Sequence, residues 1–312
     1  IPPDASIGTP TPAPTIAGCK IFPDDNPWNL DVRDVPLHPR RRQIGSHMNP
    51  TRALHPDWGN WSTDHYGIPW QTGTGAPPAP ISWTASWGDD ESDPLACMIG
   101  PTNYPFCYPI PTNVRIEGGP GADTDADRHV LYLDTAGAPN DCTLYELYNT
   151  QDVTGSDFDA QNGAIFHLGT NALRPEGYTS ADAAGLPILP GLVRYDEIAA
   201  GEIRHAIRFT MSTTAQRWIH PATHQAGDSG TDLPPMGLRV RLRGDFPEAG
   251  LTPEALVLVT ALKKYGMIVA DNGSDWYITG QEDPRWNDDA LGALKNVPSS
   301  WFEVVDTGPI QH

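Results

Sequence analysis

At 312 residues, with 30 Gly, 33 Pro and 38% hydrophobic residues, the chain reads as a loop-rich protein of many short strands rather than a helical bundle. A formal net charge of −19 and a pI near 4.7 argue against nucleic acid or an anionic membrane surface as partner, because both need basic patches. No apolar run approaches the roughly 20 residues that span a bilayer, so no membrane-spanning segment is expected.

Residues 1–18 are rich in Pro, Thr and Ala and read as an N-terminal tether of the kind that follows a cleaved signal peptide or an anchor site. Residues 19–312 read as one β-rich domain. The cysteines predict two disulfides and an oxidising compartment: Cys97 and Cys107 close a local loop, which leaves Cys19 for Cys142. A zinc site is the rival, but no two of these cysteines have CxxC spacing. From Cys19 to Trp70 the chain is aromatic, Pro-rich and without periodicity. Trp58, Trp61 and Trp70 either lid a hydrophobic core or form a platform for sugar rings.

Ile81 to Trp87 alternates like a strand, and the turn after it places Asp89, Asp90, Glu91 and Asp93 together. Such adjacent acids coordinate Ca²⁺, supply catalytic carboxylates or face solvent; Asp90 and Asp93 are the metal candidates and Glu91 a catalytic one. Glu117 enters a Gly-rich turn as a further catalytic candidate. Asp123, Asp125 and Asp127, with Asp134 at the twelfth position, loosely fit a Ca²⁺ loop, although Arg128 stands where that loop needs Gly. HVLYLD and CTLYELYN predict a hairpin turning at Gly137 to Asn140, and GAIFHL a further strand.

Ala181 to Met211 packs ionisable residues between two apolar segments. Ser180 is expected to cap a short helical turn, and Gly201 to close a second, polar one opened by Arg194, Asp196 and Glu197. Ile203 to Phe209 then reads as a strand. Arg194, Asp196, Glu197 and His205 form either a structural ion-pair network or an active-site wall, and are expected together at the edge of the largest groove. Further on, Gly227 to Gly230 resembles the nucleophile turn of chymotrypsin-like proteases, but Thr231 departs from that pattern. His220 and His224 lack the Glu of a zincin site and are expected in a solvent-facing loop. Thr252 caps a buried helix from about Pro253 to Tyr265, which Gly266 stops. MIVAD and DWYITG are expected to pair as a hairpin centred on Asn272-Gly273.

LPILPGLVRYDE, LPPMGLRVRL and ALKKYGMIVADNGSDWYI resemble segments of a group of secreted bacterial and fungal proteins without an assigned activity, over about Asn26 to Thr307. The resemblance implies an extracellular protein built as one unit and carries over no catalytic residue; the segment between Cys97 and Cys107 is peculiar to this chain.

The expected fold is therefore α+β and β-rich: an antiparallel, jelly-roll-like β-sandwich with one buried helix and long wrapping loops. The expected function is that of a secreted carbohydrate-active protein cleaving a polysaccharide. As a hydrolase it would use a carboxylate pair drawn from Glu91, Glu117, Asp196 and Glu197. As a lyase, Tyr195 or His205 would take the proton while Arg194 or Arg128 neutralised a uronate, with His129 beside the ligand. Ca²⁺ is the expected ion, with no organic cofactor. The alternative is a secreted structural or glycan-binding protein that self-assembles.

Overall fold

The computed structural model describes residues 8–59, 66–119, 122, 126–151 and 157–312. In chain order the strands of the three larger sheets are β1 (His55–Asp57), β2 (Trp70–Gly73), β3 (Ala79–Trp83), β4 (Cys107–Tyr108), β5 (Val130–Asp134), β6 (Thr143–Tyr148) and β7 (Phe158–Ala160). They continue with β8 (Asn162–His167), β9 (Ile207–Met211), β10 (Arg239–Leu242), β11 (Met267–Asn272), β12 (Tyr277–Thr279) and β13 (Phe302–Val304). A six-stranded sheet runs β13-β10-β11-β9-β12-β1, a four-stranded sheet β8-β6-β5-β2, and a three-stranded sheet β4-β3-β7.

The expected hairpin forms as β5 and β6, with Val130 opposite Leu147 and Asp134 opposite Thr143. Its period-two pattern is apolar on both faces, so it is buried on both. Leu131, Leu133 and Leu144 enter the main core. Val130, Tyr132, Tyr145 and Leu147 enter a second core shared with Ala79, Ile81 and Phe158 of the three-stranded sheet.

The all-antiparallel expectation fails in four pairings: β2/β5, β3/β7, β9/β11 and β1/β12 are parallel. Parallel neighbours need long crossovers, and the Pro-rich connections supply them. The hairpin expected at Asn272-Gly273 is also overturned. β9 lies between β11 and β12, and the backbone N–H of Gly273 bonds to Met211 O at 3.1 Å. Local turn chemistry lost here to the pairing that buries Phe209.

Of the helices, the longest is Pro253–Lys264, as expected. Thr252 Oγ1 accepts the N–H of Ala255 at 3.2 Å, and Gly266 follows at φ +69°, the left-handed conformation that ends a helix. Ala255, Leu258, Val259 and Leu262 are buried, while Thr260 is exposed. No helix among the described residues is long and apolar enough to cross a membrane.

The N-terminal segment is held against the fold from Thr9 onward. From Thr9 the chain pairs with Leu30–Asp31, and Thr15–Ile16 pairs with Cys19–Lys20. Ile16 is buried, and Thr11 Oγ1 donates to Asn29 O at 2.7 Å, so apolar and polar anchors dock a segment whose composition suggests a free linker. Both disulfides form as expected, Cys19–Cys142 across 123 residues and Cys97–Cys107 across 10. Chain entropy predicts that removing the first costs about 5 kcal/mol and the second about 3. Denaturant unfolding of the paired Cys→Ser variants should rank them in that order.

Glu146 pins the central stretch to the four-stranded sheet. It is fully buried, and its carboxylate accepts the N–H of Ile188 (3.0 and 2.9 Å) and of Leu189 (3.0 Å). Burial pushes its pKa up to about 7 against these hydrogen bonds. The folded state therefore holds this proton more tightly than the unfolded one. The contribution of Glu146 to stability is therefore fully present below about pH 4.5 and is lost as pH rises through about 7, a change of about 3 kcal/mol from this group alone. Glu146→Gln should flatten that part of the stability-versus-pH curve; an unchanged slope would show that Glu146 does not titrate there.

Candidate functional site

β9 and β11 run parallel until their register shifts between Phe209 and Thr210. Phe209 faces Val269 but Thr210 faces Asp271, so Ala270 is the extra residue. A bulge of this kind re-aims the side chain that follows it. Here it brings Asp271, at the end of the apolar run Met267 to Ala270, to the rim of a cavity of about 480 Å³. The cavity is also lined by Trp87, Glu91, Asp127, Tyr148, Thr179, Ser180, Ala181, Ala183, His224 and Asn272. Three carboxylates thus face one space, from the short helix Gly88–Glu91, from the entry to β5 and from the end of β11.

Behind the cavity lies a buried ionic network. Arg208 Nε donates to Asp182 Oδ2 at 2.8 Å, Nη2 to Asp182 Oδ1, and Nη1 to Thr279 Oγ1 at 2.6 Å. Asp271 Oδ2 is 4.0 Å from the same Nη2, too far for a hydrogen bond. Burial, followed by the charge of Asp182, pushes the Asp271 carboxyl well above the usual carboxylate range, against the opposing pull of Arg208 and His129. A fifth of that side chain stays exposed. Asp271 therefore holds its proton more tightly than an ordinary carboxyl group and lines the cavity.

His129 Nδ1 lies 2.6 Å from Glu117 Oε2, and Nε2 lies 3.1 Å from Ala181 O. A carbonyl only accepts, so Nε2 donates there, and Nδ1–H donates to the carboxylate of Glu117. Burial lowers the His129 pKa, but Glu117 outweighs it and the result is about 9; the same pairing holds Glu117 below its ordinary value despite burial. The cation thus fixes Ala181, one wall of the cavity. On another wall, His224 Nδ1 donates to Ala183 O at 2.7 Å, which fixes the orientation of the ring and leaves Nε2 outside that bond. Burial, Asp127 and Asp271 all raise the Tyr148 pKa, so its hydroxyl stays a neutral donor.

The structure separates the residues singled out in the sequence. Glu91 and Asp127 line the cavity. Asp90 is exposed, and Asp93 pairs with Arg174 while accepting the N–H of Ile165 at 2.7 Å. Asp123, Asp125 and Trp61 lie outside the described residues. Among the described residues, no three His, Cys, Asp or Glu side chains group as a metal site. Arg128 is buried, with Nε donating to Thr150 O at 2.7 Å. Trp70 donates to Gln281 Oε1 at 3.3 Å and packs against the main core, and Trp58 packs edge-on against Trp286.

Arg194, Glu197 and His205 do come together, but as an ion-pair network under the helix Tyr195–Ala200 and not around this cavity. Arg194 Nη2 donates to Glu197 Oε1 at 2.5 Å, and His205 Nε2 lies 3.2 Å from Oε2. Burial raises the Glu197 pKa, yet Arg194 and His205 together hold the carboxyl below its usual value. Asp196 points away, 78% exposed, and pairs with Arg285 at 2.9 Å. None of these four lines the cavity at Asp271; Arg194 turns inward to the carbonyls of Leu189 and Leu192. Ser180 caps no helix; its hydroxyl holds the turn through Asp182 N at 3.0 Å and Leu186 O at 2.6 Å.

Asp271, Asp182 and Tyr148 escape sequence reasoning, and His224, expected in a solvent-facing loop, lines the cavity instead. Asp271 has one signal, an acid ending an apolar strand. His224 has none, since its role depends on the turn at Ala183. Family models, curated proteins and solved structures were compared with this chain, and none matches.

Proposed function

We propose that the protein is a secreted hydrolase that cleaves glycosidic bonds in an uncharged polysaccharide, with the cavity at Asp271 as its active site. The observation that carries this reading is that three carboxyl groups line one cavity in unequal environments: Asp271, whose pKa burial and Asp182 raise, together with Glu91 and Asp127. Asp271 gives its proton to the glycosidic oxygen as the bond to the anomeric carbon breaks. Asp127 or Glu91 either attacks that carbon or takes the proton of the water that does, and this choice sets the stereochemistry. His224 Nε2 and the Tyr148 hydroxyl orient sugar hydroxyls, and Trp87 offers an apolar face.

Hydrolysis is preferred to lyase chemistry because the described lining residues include three carboxylates and no Arg or Lys to neutralise a uronate. Two disulfides support an extracellular setting, in keeping with the secreted group that the sequence resembles. We further read the four- and three-stranded sheets as a small β-sandwich carrying the Asp127 and Tyr148 walls.

The test is a panel of neutral, amino-sugar and uronate polysaccharides scored for both reducing ends and unsaturated products. New reducing ends from a neutral polymer are expected. Unsaturated products would move the reading to a lyase, and retention on a glycan without cleavage would move it to a binding protein.

A further inference from the structure

A second concavity of about 420 Å³ lies at the β1 edge of the six-stranded sheet, lined in part by His55, Asp57, Trp58, Tyr66, Tyr277 and Lys295. Its register relation to Asp271 follows from the sheet itself. Asp271 faces Thr210, Thr210 faces Tyr277, and Tyr277 faces His55 across three successive strand pairs. Residues facing one another across a ladder share a face of the sheet. Tyr277 is two strands from Asp271, about 10 Å at the usual strand spacing, and His55 is one strand further. The acid and the second concavity are thus on one sheet face, within the span of a short oligosaccharide.

The lining of this concavity suits an uncharged sugar ring. Tyr66 is 60% exposed, unusual for so large an apolar side chain. Tyr277 is stacked on His55 at 4.0 Å between ring centroids, which fixes its orientation before any ligand arrives. Asp57 supplies an acceptor and Lys295 a donor, so the charges within the concavity are mixed.

We propose that this concavity is a distal sugar-binding subsite, in which Tyr66 and Tyr277 stack on a neutral pyranose of the same polymer chain that reaches Asp271. The inference rests on the proposed function only for the position of the cleaved bond; binding at the subsite does not need it. It makes the protein an enzyme of long chains, since an oligomer too short to span the sheet face engages one concavity alone. Linking two binding regions through one ligand multiplies affinity without new contacts elsewhere.

The test uses the full chain and neutral gluco-, xylo- and manno-oligosaccharides of graded length, followed by intrinsic Trp fluorescence. Affinity for the bound series should rise with length, and Tyr66→Ala should lose about tenfold for the longer oligomers only. Tyr66→Trp, which keeps a stacking face, should restore it. Asp271→Asn separates the two proposals. If length-dependent, Tyr66-dependent binding persists while wild type cleaves nothing, the subsite stands and the catalytic reading falls. Equal affinities of wild type and Tyr66→Ala at every length, affinity independent of length, or no binding across the panel would each overturn the subsite.

Discussion

Asp182→Ala is expected to destabilise the protein by about 3–5 kcal/mol, because it strands a buried guanidinium. Asp182 is fully buried and Arg208 nearly so, and the carboxylate takes two of the Arg208 donors. Without it, Arg208 keeps Thr279 Oγ1 and turns towards Asp271, now 4.0 Å away. The charge of Asp182 no longer raises Asp271, so the Asp271 proton is lost more easily and activity should fall along with stability. The paired replacement Asp182→Leu with Arg208→Met removes both charges together and should recover much of the stability, since desolvating the pair offsets most of its attraction. Urea unfolding measures both. A single Asp182→Ala variant within about 1 kcal/mol of wild type would mean that water, not Asp182, solvates Arg208.

Asp271→Asn should lower turnover of a cleaved polysaccharide by about 10²- to 10⁴-fold, the usual contribution of a positioned general acid. Asparagine matches the neutral protonated carboxyl in shape and charge, so the fold should hold and substrate binding should change little. The pH profile gives the sharper readout. Burial and Asp182 keep Asp271 protonated beyond the ordinary carboxylate range, so activity should fall on the alkaline side as that proton leaves. The residual activity of the variant should lack this limb. A full alkaline limb in Asp271→Asn, or turnover within tenfold of wild type, would remove Asp271 from the catalytic role.

The central stretch shows how far local pattern carries. Gly201, at φ +78°, closes the helix Tyr195–Ala200 as its position after the polar turn implies. The charges around it must be paired if the flanks are buried, and Arg194, Glu197 and His205 are paired. Whether those pairs face a cavity depends on what packs against the turn, and that is not a local property. Arg194 reaches carbonyls only two and five residues back, yet the burial that makes those contacts compulsory comes from the surrounding core.

By itself the sequence determined the properties that act over short range or through exclusion. Two short apolar runs around a Gly/Pro/Asn turn set β5 and β6, a Thr cap and a Gly stop bounded the long helix, and one short loop between cysteines left a single partner for Cys19. Only the tertiary structure decided the site. Asp271 reads locally as the end of a hairpin strand; it becomes an acid because β9 inserts beside β11, a bulge turns its side chain, and Asp182 from a distant loop is buried against it. Strand order and desolvation are set by residues far apart in the chain, which is why neither can be read from the segment that carries the group.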